Sequence, residues 1–183
     1  MLVGNGTSYT DCLAAGGDNF SSDTNNTELW NGTNWTEVNN MNTTREAGAG
    51  TNTLGLAFGG SAPAVNGLTE EWTGPGAPVG AWSTAANMNA AKQYVASSNA
   101  ETQTAAIAFG GSNPPSYPVA ALTEDWNGIS WQETADMNTA RTSTGTGATS
   151  VSALASGGSP YPSSAALTEE WNVPGNVVKT LTD

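Results

Sequence analysis

Residues 110–141 read GGSNPPSYPVAALTEDWNGISWQETADMNTAR, and every landmark in that stretch returns elsewhere in the chain. The glycine pair Gly110-Gly111 has counterparts at Gly16-Gly17, Gly59-Gly60 and Gly157-Gly158. Trp126 has counterparts at Trp30, Trp72 and Trp171, each following its own glycine pair at a similar distance. Trp131 returns as Trp35 and Trp82, Met137 as Met41 and Met88, and Arg141 as Arg45 and Lys92. In all three cases the methionine stands six residues after the tryptophan and the cation four residues after the methionine. The chain therefore holds four copies of one unit, which differ a little in length. A period of about 40–50 residues marks a repeat architecture.

Within a unit the pattern is that of short strands and turns. TLGLAFGG, TQTAAIAFGG and SVSALASGG read as buried strands that end at a glycine pair, where a positive φ lets the chain turn. LTEEW and LTEDW alternate, placing Leu68, Glu70 and Trp72 on one face and Thr69 and Glu71 on the other. NGTNW and NGISW predict tight hairpins, because Asn-Gly suits a two-residue turn. WTEVNNM and WQETADM predict a fourth strand running into the methionine. No segment sustains an apolar period of 3.6 residues, so the fold class is all-β, with about four strands per unit. A unit this small cannot bury its apolar face alone, and several must pack side by side.

Composition removes whole classes of function. The 183 residues suffice for one domain. They carry 16 acidic and 4 basic side chains and no histidine, a net charge of -12. Four cations are too few to displace counterions from nucleic acid, and an anionic membrane would repel the chain. Without histidine the commonest metal ligand and general base are missing. A single cysteine, Cys12, excludes an intrachain disulfide and a thiolate metal cluster, and it reads as a small buried strand residue. The opening MLVGNGTSYTDCLAAGG has neither a cationic stretch nor an apolar run, so no signal peptide is expected. No stretch approaches the roughly 18 apolar residues of a transmembrane helix.

The order of glycine pair, aromatic, short hairpin, tryptophan, basic residue and apolar strand resembles the kelch repeat. The resemblance covers essentially the whole chain and implies a single β-propeller domain over residues 1–183. Its blades would fall near 1–42, 43–89, 90–138 and 139–183. Kelch repeats usually place tyrosine at the first aromatic position, where this chain has Trp30, Trp72, Trp126 and Trp171. The wording of the repeats (TEEWNG, MNTAR, LAFGG) is also similar to kelch-like proteins of tailed phages, marine ones among them. Four blades lie at the low end of propeller sizes. A closed four-bladed monomer is the first expectation; two chains sharing a larger ring, or a piece of a longer fibre protein, are the others.

Recurrence separates structural residues from candidate binding residues. Trp30, Trp72, Trp126 and Trp171, with Trp35, Trp82 and Trp131, recur too evenly for a ligand site, so packing between blades explains them better than stacking on sugars. The methionines are filler in the same seams. A glutamate recurs in every unit, as Glu28, Glu70, Glu124 and Glu169, whereas a glycoside-hydrolysing pair need occur only once. Each recurring cation, Arg45, Lys92 and Arg141, is therefore expected to pair with a recurring glutamate, because a buried lone carboxylate costs several kcal/mol. A copper oxidase would need histidines, a sialidase three arginines, and no GxSxG elbow exists, so the chain reads as no enzyme and as binding no cofactor or metal. Asp18, Asp23 and Glu28 could suggest calcium, yet their spacing is not that of an EF-hand. The segments after the glycine pairs vary most: DNFSSDTNN, SAPAVNG, SNPPSYPVAA and SPYPSSAA. On them Phe20, Tyr117 and Tyr161, with Asn113, Asp18 and Asn19, form the candidate recognition face. The resemblance implies a virion or extracellular binding module for a host glycan or protein, with a purely structural virion component as the alternative and a carbohydrate-active enzyme a distant third.

Overall fold

The computed structural model describes residues 3–17, 22–61, 64–74, 80–97, 102–116, 118–142, 145–160, 166–173 and 179–181. Those residues are all-β and form four sheets of four antiparallel strands, an arrangement consistent with a β-propeller. Sheet 1 holds β1 (Val3–Ser8), β2 (Asp11–Ala15), β3 (Thr27–Trp30) and β4 (Trp35–Val38). Sheet 2 holds β5 (Ala47–Gly50), β6 (Leu54–Phe58), β7 (Thr69–Thr73) and β8 (Ala81–Ala85). Sheet 3 holds β9 (Ala96–Ser97), β10 (Ala106–Phe109), β11 (Thr123–Trp126) and β12 (Trp131–Glu133). Sheet 4 holds β13 (Gly145–Thr149), β14 (Ser152–Ser156), β15 (Thr168–Asn172) and β16 (Lys179–Leu181). In each sheet the strands pair in chain order, so every sheet is a simple meander. Its first strand lies innermost: β5 runs beside β1 and β9, and β9 beside β13.

The registers put corresponding residues of the second and third strands opposite one another in all four sheets. Leu13 pairs with Leu29, Leu56 with Glu71, Ile107 with Asp125 and Leu154 with Glu170. Alternation then gives each sheet two faces. One, facing the next sheet, carries Leu13, Leu56, Ile107 or Leu154 with the threonine that opens the third strand. The other, facing the preceding sheet, carries the recurring glutamate and tryptophans.

Three apolar clusters fill the three seams. Leu13, Ala15 and Val3 of sheet 1 pack on Ala57, Trp72 and Trp82 of sheet 2, with Met41 between them. Leu56 and Phe58 pack on Ala106, Ala108, Trp126 and Trp131, with Met88 between. Ile107 and Phe109 pack on Ala153, Ala155 and Trp171, with Met137 between. Each large side chain buried there stabilises the seam by roughly 1.5–3 kcal/mol.

Two local readings need correction. The turns between β3 and β4 and between β11 and β12 sit one residue later than Asn-Gly predicts, because Trp30 pairs with Trp35 and Trp126 with Trp131, and the Asn31 and Asn127 N–H groups donate to the Asn34 and Ser130 carbonyls at 3.3 Å. The cause is the asparagine: Asn31 Oδ1 accepts from the backbone N–H groups of Thr33 and Asn34, and Asn127 Oδ1 from those of Ile129 and Ser130. Such side-chain caps close the turn. The fourth strands also end short of the methionines, at Val38 and Glu133. The chain leaves the sheet there to cross to the next one.

The glycine pairs do turn with positive φ. Gly110 and Gly111 stand at 67° and 98°, and a Cβ on Gly110 would lie 2.3 Å from the Arg141 carbonyl oxygen. Their N–H groups donate to the carbonyls of Leu122 and Arg141, both at 3.0 Å. This turn therefore fastens the end of β10 to the segment that carries the cation.

Candidate functional site

The polar chemistry of the molecule is concentrated at the sheet seams. Beyond β4 the chain runs through Met41 and Asn42 to Arg45 and wraps the Glu70 carboxylate on β7. Glu70 Oε2 accepts from the Asn42 backbone N–H and side-chain amide, both at 2.8 Å, and Oε1 from the Thr43 N–H at 3.2 Å. Arg45 Nη2 closes the ring of donors at 2.8 Å from Oε1. The same clamp forms at Glu124, where Asn89 N and Nδ2 donate at 2.6 and 3.0 Å and Ala90 N at 3.2 Å. Lys92 Nζ stands 3.0 Å away. At Glu169 the donors are Asn138 N and Nδ2, at 2.6 and 3.1 Å, and Arg141 Nη2 at 2.6 Å. All six ion-pair partners are buried.

Burial disfavours a lone charge, and its trace is visible in the cations. Desolvation pushes the Arg45 guanidinium and the Lys92 ammonium below their ordinary values, and the charges of Glu70 and Glu124 oppose it. On the opposite face of the same strands, burial raises the carboxyl groups of Glu71 and Asp125. Each clamped carboxylate has its acceptor positions occupied by three or four donors. Such a group is equipped to hold a loop in place.

The tryptophans divide into two kinds by where their N–H groups go. Trp30, Trp72, Trp126 and Trp171 donate within their own sheets, to the carbonyls of Tyr9, Asn52, Gln103 and Ser150 at 3.0, 2.9, 3.0 and 3.0 Å. Those carbonyls lie at the tip of the inner hairpin. Trp82 and Trp131 instead donate across a seam, to Thr27 Oγ1 at 3.0 Å and Thr69 Oγ1 at 2.9 Å of the preceding sheet. Sequence reasoning missed the part these threonines and the clamp asparagines play. The signal is present, because a threonine precedes the recurring glutamate in all four units and an asparagine follows the methionine in three.

Sheet 1 departs from this scheme and corrects three of the sequence readings. Trp30 is only half-buried and Trp35 is 48% exposed, although their rings touch, tilted by 42° with centroids 5.4 Å apart. Glu28 is exposed on β3, and Cys12 is half-buried, its Sγ donating to the Ser8 carbonyl at 3.1 Å. The reason is common to all: they share the face of sheet 1 on which no preceding sheet is seated.

The candidate recognition loops fall largely outside the described residues: Phe20, Tyr117, Tyr161, Asp18 and Asn19 all do. Asn113 is half-buried in the loop after β10, its N–H donating to the Pro118 carbonyl at 3.3 Å. Asp23 is exposed, and among the described residues no group of three carboxylate or thiol side chains is placed to hold a metal ion. Exposed apolar side chains gather at the opposite, hairpin-tip ends of the strands, with Tyr9 at 89%, Ile129 at 80% and Val151 at 57%. No helix among the described residues is long and apolar enough to cross a membrane.

The class of protein this defines is an all-β repeat protein of four antiparallel meanders joined by carboxylate clamps. No family model matches the chain, and no curated protein matches it.

Proposed function

We propose that the chain supplies four kelch-type β-propeller blades and acts as a non-enzymatic binding module of a tailed-phage virion. Associated with the tail or its fibres, it recognises a glycan or protein on the host surface. The observation that carries this reading is the division of labour along the chain. Six of the seven recurring titratable residues are consumed in the buried pairs Arg45–Glu70, Lys92–Glu124 and Arg141–Glu169, with Glu28 alone left exposed. The segments after the glycine pairs differ in every unit and are rich in Pro, Ser, Asn and aromatic residues. A rigid scaffold with variable loops is the usual construction of a recognition surface. Proteins of the kelch-like kind found in tailed phages supply the virion setting, and the charge of -12 speaks against nucleic acid as the target.

Host-cell pull-down and a glycan array test the reading. Retention of the wild-type chain is expected, with loss in Tyr117→Ala and Tyr161→Ala; absence of any retention refutes it. A purely structural role in a virion is the second reading. It is favoured by the exposed Trp35 and Leu154, which offer apolar surface for assembly.

A further inference from the structure

The three seams and the two outermost sheet faces, compared position by position, differ in one respect. Leu13, Leu56 and Ile107 are 1%, 0% and 0% exposed, yet their register equivalent on sheet 4, Leu154, is 38% exposed. Trp82 and Trp131 are 9% and 4% exposed, while their equivalent on sheet 1, Trp35, is at 48%. Thr27 and Thr69 are fully buried and accept a tryptophan N–H; Thr168, their equivalent, is only partly covered. Glu28, alone among the recurring glutamates, is exposed.

Sheet 4 thus presents the half of a seam that faces forward, and sheet 1 the half that faces back. We propose that these halves join between copies: the Leu154–Thr168 face of one chain docks on the Trp30–Trp35 face of a second copy, head to tail. The new seam repeats the apolar part of the internal ones, without their carboxylate clamp. Trp35 Nε1 donates to Thr168 Oγ1 as Trp82 does to Thr27, and Leu154 enters the space beside Ala14 and Trp30 as Leu13 does beside Ala57 and Trp72. The interface extends a row of three apolar seams, two of which carry the tryptophan-to-threonine bond, which is why the occupant is a sheet of this same kind. A second copy, not the chain's own sheet 4, is the occupant because both halves remain exposed within the single chain. Such a contact is heterologous, pairing two different patches, and each copy keeps one free half for the next. Exposed apolar patches of this sort on a soluble chain mark association surfaces.

Sedimentation of the wild-type chain and of W35E and L154E tests the pairing. Both positions are exposed, so the variants keep the wild-type circular dichroism. Wild type is expected to sediment as a dimer or a larger species, and each variant alone as a monomer. An equimolar mixture of the two variants restores the dimer, because W35E retains an intact Leu154 face and L154E an intact Trp35 face. A wild-type monomer overturns the proposal, whether Trp35 fluorescence shows that residue shielded, by closure within one chain, or open to solvent. A mixture that stays monomeric overturns it too.

Discussion

Replacing Glu124 by glutamine leaves the side-chain volume almost unchanged and removes one charge at the seam between sheets 2 and 3. Glu124 is 1% exposed, and four donors converge on it: Asn89 N, Asn89 Nδ2, Ala90 N and Lys92 Nζ. A glutamine oxygen at the Oε2 position still accepts from Asn89. Its amide then stands where Oε1 was, donor against donor, facing Ala90 N and the Lys92 ammonium. Lys92 is itself fully buried and keeps the Leu122 carbonyl, 3.5 Å away, and the more weakly acting charges of Asp136 and Glu133. Removing one partner of a buried pair costs about 3–5 kcal/mol, because the other charge is left uncompensated. Lys92→Met is expected to cost less, since the carboxylate keeps three N–H donors. The double variant should be less destabilised than the sum of the singles, by about 1–3 kcal/mol of coupling. Glu28→Gln, at the exposed equivalent site, should change stability by no more than about 0.5 kcal/mol. Urea unfolding followed by both tryptophan fluorescence and circular dichroism measures all four. If Glu124→Gln and Glu28→Gln cost the same, the clamps hold nothing and the reasoning is wrong.

Gly110→Ala should lower the melting temperature by at least about 4 °C, as both the φ of 67° and the approach to the Arg141 carbonyl forbid a Cβ; an unchanged melting temperature would show that the turn relaxes freely. Burial raises the folded-state pKa of Asp125 and Glu71 above the values 3.8 and 4.5 that the unfolded chain keeps. The folded state then binds more protons in that window, so the stability these groups add is present below those values and lost as pH climbs past the raised ones. Asp125→Asn with Glu71→Gln is therefore expected to flatten the decline in melting temperature between about pH 4 and neutrality, and a parallel decline in wild type and variant would refute it.

The repeat was legible because its spacing is rigid where the physics is rigid. Trp-x5-Met-x3-cation spans the one segment that must leave a sheet, cross a seam and reach a carboxylate on the next sheet. Any insertion there would pull Asn42 or Arg45 off Glu70. The loops after the glycine pairs carry no such constraint, and their lengths vary. The roles of Thr27 and Thr69 were hidden because their partners, Trp82 and Trp131, lie 55 and 62 residues away on another sheet. Threonine at the head of a strand reads as ordinary β-propensity until the neighbouring sheet is in place. Trp35 shows the same blindness from the other side. Its spacing is that of Trp82 and Trp131, but burial is a property of the seam and not of the residue.

Each internal seam is made of two parts with different requirements. The apolar part needs only two faces of the right shape, one with a leucine or isoleucine and a threonine and one with one or two tryptophans. The clamp needs the chain itself to run on from the outer strand of one sheet, through Met-Asn, to the glutamate of the next. Contact between separate chains reproduces the first part without any connecting segment. The clamp adds three or four directed donors per carboxylate and sets which sheet follows which, a specificity that apolar faces alone do not supply. This explains why the leucine-and-tryptophan pattern persists on sheets 1 and 4 while Glu28 stands in solvent: the face is written into the repeat, but the clamp exists only where the backbone delivers it.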